Sequence, residues 1–159
     1  MQKIVETAKP VWMLSAIAPS STTPDYVSLK NYQHATLIIT VENGTGVTGS
    51  AITLKQAQAV AGTSEKALAF ANMWSNVDCA AADVLAKTDV TSDTFTTAST
   101  SSKLLMYVIE VDASELDTDN AFDCVRVGTG DATRATVSIL GILGAPRFAA
   151  ASMPAAITD

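Results

Sequence analysis

Between residues 34 and 41 the chain reads His-Ala-Thr-Leu-Ile-Ile-Thr-Val, and no other stretch limits the possible folds as strongly. Leu37, Ile38, Ile39 and Val41, with Thr36 and Thr40 among them, form a β-branched run that is too short for a globular helix and suits a strand. Both of its faces are apolar, so the run is expected to lie centrally in a sheet with cover on both sides. Two later runs answer it, at residues 104–111 and 137–143.

The rest of the chain is punctuated at short intervals. Residues 67–74 place Leu68, Phe70 and Trp74 on one period-2 face and are read as a strand, as are residues 122–127. Residues 51–60 stay ambiguous: Thr53 with Gln56 resembles a capping box before a helix ending at Gly62, whereas Ile52 and Leu54 alternate as a strand would. Asp78 is a candidate N-cap for a short helix reaching Lys87. Residues 88–102, rich in Ser, Thr and Asp, read as a surface loop or as a loop with one edge strand about Phe95. Glycine-rich turns at 42–46 and 128–131 are expected to close hairpins. The sum is a mainly β chain, an antiparallel β-sandwich or jelly-roll-like body at residues 26–148 with one or two short helices. Pro10, Pro19 and Pro24 break residues 1–25 into an extended arm, whose Trp12, Met13 and Leu14 are expected to dock on the body or on a neighbouring subunit, and the Ala-rich residues 149–159 form a second. In the first arm, residues 11–18 are too poorly flanked, by Glu6 and Pro10, for a cleaved secretion signal.

Charge is scarce. Hydrophobic residues make up 48% of the chain and charged ones 16%, against about 25% charged in ordinary soluble domains. A compact monomer of this mass exposes on the order of 7,500 Å². Two or three protein contacts of about 800 Å² each would cover a quarter to a third of that. Such a composition fits a subunit of a larger assembly better than a freely diffusing enzyme. A net charge of −6 without clustered Lys and Arg argues against a nucleic-acid partner, and no apolar run approaches the length of a membrane span.

Chemistry-bearing patterns are weak. Gly44-Thr-Gly46-Val-Thr-Gly49 matches GxGxxG after a strand, but no clear helix or strand-helix alternation follows, so a glycine-rich hairpin is the expectation. Asp117, Asp119, Asn120 and Asp123, with Glu115 close by, bunch oxygen atoms. Ala121 and Phe122 stand where an EF-hand needs a ligand and a glycine, leaving a solvated acidic turn or calcium in an irregular loop. Cys79 and Cys124 form no CxxC pair and are expected as two buried free thiols, with one disulfide in an oxidising compartment as the alternative. His34 has no nucleophile motif beside it and is read as a satisfied polar residue. No cofactor and no enzymatic activity are expected.

Several segments together resemble the small virion structural proteins of tailed bacteriophages. They are Tyr26-Val-Ser-Leu-Lys-Asn-Tyr, the strand at 35–40, Ala51-Ile-Thr-Leu-Lys-Gln-Ala, residues 62–70, the strand from Tyr107, Phe122-Asp-Cys-Val-Arg-Val and Pro146-Arg-Phe, spanning about residues 26–149. The resemblance implies a non-enzymatic subunit present in many copies, a capsid cement or decoration protein on the surface of the head. It would be assembled in the host cytoplasm, often as trimers, with the major capsid protein or other virion subunits as partners. A tail or neck protein, or a glycan-binding sandwich module, is the alternative. Aromatic, Met and Arg side chains are enriched in interface cores, which makes Trp12 and Met13 in the first arm, and Arg147 and Phe148 where the second begins, the candidate contact residues.

Overall fold

A computed structural model describes residues 4–147 and 153–158. After one helical turn at Ile4–Thr7 the strands follow as β1 (Ala8–Ile17), β2 (Val27–Ser28), β3 (Tyr32–Asn43), β4 (Ala51–Ala57), β5 (Lys66–Ala67) and β6 (Phe70–Asn76). They continue as β7 (Ala86–Ser92), β8 (Thr94–Thr96), β9 (Leu104–Asp112), β10 (Cys124–Thr129) and β11 (Ala135–Pro146). A six-stranded sheet runs β1-β11-β3-β9-β6-β7, and a five-stranded sheet runs β2-β10-β4-β5 with β8 also on β4. All of these pairings are antiparallel. The two sheets pack as a β-sandwich, the expected fold class.

The alternation of strand side chains explains the packing. Leu37, Ile39 and Val41 of β3 point inward beside Tyr107, Ile109 and Val111 of β9 and Val137, Ile139 and Leu143 of β11. They meet Ile52 and Leu54 of β4 and Val125 and Val127 of β10 in one core. β3 is central, as its composition predicts, but among the described residues only its inner face is covered by the second sheet. Of residues 51–60, Ala51–Ala57 resolve as strand, because Ile52, Leu54 and Gln56 all point inward, and the remainder turns. The buried Gln56 amide is satisfied by Ala67 O and by Asp117 N, 2.8 Å from its oxygen.

Four expectations need correction. The first arm is largely absent: β1 is an edge strand on β11, with Val11, Met13 and Leu14 buried. Pro10 is tolerated there because an edge strand has one side that donates to no neighbour. Residues 153–158 likewise lie on the body, where Lys9 Nζ and Tyr32 Oη donate to Pro154 O and Ser28 N to Ala156 O, 2.7 Å away.

The helix expected at 78–87 is a single turn followed by β7, because the Asp78 carboxylate pairs with Lys103 instead of capping. A segment of small alanines also offers no apolar face to hold a helix. Finally, the turns at 42–46 and 128–131 do not close hairpins. β3 and β4 belong to different sheets, as do β10 and β11, so both turns are arches over the edge of the sandwich. Packing explains the glycines of the first: a Cβ on Gly49 would lie 2.4 Å from Thr97 O, and Gly46 has φ +70°. Neither cysteine is in a disulfide among the described residues, Cys124 being buried and Cys79 half-buried, and no helix among the described residues is long and apolar enough to cross a membrane.

Candidate interaction surface

Because only the inner face of the six-stranded sheet is covered by the second sheet, its outer face carries whatever the even-numbered residues of β3 bring. Antiparallel register aligns one apolar row across it. Trp12 of β1 pairs with Leu140 of β11, Leu140 with Ile38 of β3, Ile38 with Val108 of β9, and Val108 with Trp74 of β6. Directly opposed residues on neighbouring strands project to the same side with Cβ atoms about 5 Å apart. The row is therefore continuous over five strands, with Trp12 56% exposed at one end and the other four side chains half-buried. Lys87 ends it, its ammonium 6.0 Å from the Trp74 ring. Ile142 and Met106 extend the apolar surface into the rows on either side.

Hydroxyls flank the row directly, Thr36 and Thr40 beside Ile38 and Ser138 beside Leu140, with Thr40 Oγ1 and Ser138 Oγ sharing a hydrogen bond at 2.5 Å, and charged groups stand at the margins. Where β3 begins, His34 lies opposite Asp112, and both ring nitrogens face carboxylates: Nδ1 is 2.8 Å from Asp112 Oδ1, and Nε2 meets Glu110 Oε2. Only the doubly protonated ring donates from both nitrogens. Burial opposes that charge, but hydrogen bonds to Asp112 and Glu110, and their negative charge, outweigh it and raise the His34 pKa above its ordinary value. Thr36 Oγ1 donates to the same Glu110 oxygen at 2.7 Å. Every strong polar group of this corner is thus engaged within the chain, in keeping with the expectation that His34 is a satisfied residue.

Two further groups of charges are likewise paired within the chain. In the acidic loop Asp117 accepts from Lys66 and from Asn120 Nδ2 at 2.9 Å, which hold its carboxyl below the usual carboxylate range. No grouping of three or more metal-ligating side chains occurs among the described residues. On the five-stranded sheet Glu65 bridges Lys55 and Arg126, neighbours across β4 and β10 that would otherwise repel, and takes the Tyr26 hydroxyl at 2.6 Å. The Lys55 hydrogen bond first, then that of Tyr26, lowers the Glu65 pKa.

The expected contact residues scatter. Trp12 lies on the outer row. Met13 faces the opposite way and is 2% exposed, against Gly141, so it belongs to the chain's own core and is not available to a partner. Arg147 is exposed just beyond β11, its N–H on Asn31 O at 2.9 Å, and Phe148 lies outside the described residues. Sequence reasoning missed Ile38, Leu140, Val108 and the orientation of Trp74. The signal for Ile38 was present in the two apolar faces of its run. Trp74 was misplaced because the register of β6 shifts between Phe70 and Asn72, so Phe70 points inward and Trp74 outward.

No protein-family model and no curated protein matches this chain. Among solved structures, the chain is similar to the crystal structure of the SPBc2 prophage-derived protein YomS, at 14% identity, covering 87% of this chain and 93% of that one with a TM-score of 0.49. Likeness of that degree is a similarity between two chains and assigns this one no role.

Proposed function

We propose that this chain is a non-enzymatic structural subunit of a tailed-phage virion, and at the finer level a cement or decoration protein bound to the major capsid protein on the head surface. The observation that carries the reading is the apolar row across the outer face of the six-stranded sheet, a face suited to burial against another subunit of an assembly, a second copy of the chain included. An uncovered, preformed sheet face loses little conformational freedom when it is buried, so its area converts efficiently into association. Monomeric soluble proteins rarely leave a contiguous apolar patch larger than a few hundred Å² in water. Three further features support it: the low proportion of charged residues, the internal pairing of His34, Glu65 and Asp117, and the resemblance of residues 26–149 to small phage virion proteins.

The test is co-sedimentation of the purified chain with empty phage heads from the same source. Saturable binding at a fixed ratio to the major capsid protein is the expected result. A chain that stays in the supernatant at every concentration contradicts the cement reading, and tail components and a glycan panel are then the next probes.

A further inference from the structure

The outer row reads nearly the same from either end. Its centre is Ile38 on β3, flanked by the aliphatic Leu140 and Val108 and, one strand further on each side, by the tryptophans Trp12 and Trp74. A surface that meets its own copy about a two-fold axis must be self-complementary, each residue facing the equivalent of its symmetry mate. This row meets that demand whichever way the second copy is turned about Ile38: aliphatic lies on aliphatic and indole on indole.

We propose that the face is closed by a second copy of this chain, two six-stranded sheets packing outer face to outer face on a two-fold axis through Ile38. The inference rests on the reading of the chain as an assembly subunit and names the partner of that surface. The dimensions agree. Six strands about 4.8 Å apart, over the length of β3 from His34 to Glu42, make a plane of roughly 700 Å². A stable pair buries about 800 Å² per partner, which side chains standing out of that plane supply. Sheets that pack face to face keep their strands within about 30° of each other and interdigitate across about 10 Å, a geometry an aliphatic row between two indoles can fill. Charge is kept off the centre: His34 offsets part of the charge of Glu110 and Asp112 at one end, Glu42 stands exposed at the other, and Lys87 lies at the side. A hydrophobic core inside a polar rim is the ordinary anatomy of a protein interface.

Light scattering of the full-length chain over a dilution series tests the pairing. The expected mass is twice that of the 16.5 kDa chain, falling to one chain on dilution. Ile38→Glu and, separately, Val108→Glu place an unpaired charge in the centre and should weaken association by on the order of 100-fold or more, leaving the far-UV spectrum and the melting transition of the monomer in place. If neither variant folds, an Ile38→Cys chain in a Cys79→Ser background should be joined to a second copy by a short bis-maleimide. A wild-type chain that is monomeric throughout, a trimer, a dimer indifferent to both substitutions, or a cysteine at 38 that never cross-links overturns the proposal. Head binding is read separately: a monomer that still saturates heads overturns the pairing and leaves the virion reading standing, whereas a dimer that ignores heads supports the pairing against it.

Discussion

His34 stands at the start of the central strand with a carboxylate on each ring nitrogen, and the sign of its effect on stability follows from that. Its folded-state pKa is raised above the unfolded value of about 6.5. The imidazolium's contribution is therefore complete below pH 6.5 and is lost as pH climbs through the raised folded value. Because the side chain is 35% exposed, solvent screening keeps that contribution below about 1 kcal/mol. Melting temperatures of the wild type and of His34→Gln, measured from pH 5 to pH 9, should differ in favour of the wild type at the acid end and converge at the alkaline end. A gap that stays constant or widens with pH would show that the carboxylates do not hold a charged ring.

At the scale of the element, β1 shows how one strand serves two surfaces. Successive side chains point to opposite faces, so Trp12 reaches the outer row while Met13 fills the space that Gly141 leaves open in β11. Met13→Ala should cost the isolated chain about 2–5 kcal/mol by opening a cavity, and Trp12→Ala less than about 1 kcal/mol. Denaturant titration of the two variants checks the contrast; equal losses would mean that β1 does not lie in this register.

The same element shows what the sequence could and could not convey. β3, β9 and β11 were legible because each is a largely apolar, β-branched run of seven or more residues. β1 was not, since Pro10 reads as a break until its neighbour is known to lie on one side only. β7 was hidden because its residues are nearly all polar and exposed, giving no periodicity to find. The arches at residues 44–49 and 128–131 look like hairpin turns because nothing local says which sheet the next strand will join. The apolar row suffered most, being assembled by pairings between residues as far apart in the chain as Trp12 and Leu140.

At the scale of the whole molecule, the proposed function and the proposed pairing both turn on the one sheet face that the second sheet leaves bare. The sequence indicated an assembly subunit through its low charge, and the structure locates the apolar surface where such a contact can form. Trp12 and Trp74 are the only two tryptophans, and both stand on that row. Their fluorescence therefore reports on the face without any label. Acrylamide quenching, followed from dilute to concentrated protein, is the most direct measurement: emission should move to shorter wavelength and quenching should fall as the chain associates. Tryptophans that stay equally open to acrylamide in the associated state would contradict the proposed pairing, since contact would then be made elsewhere on the molecule.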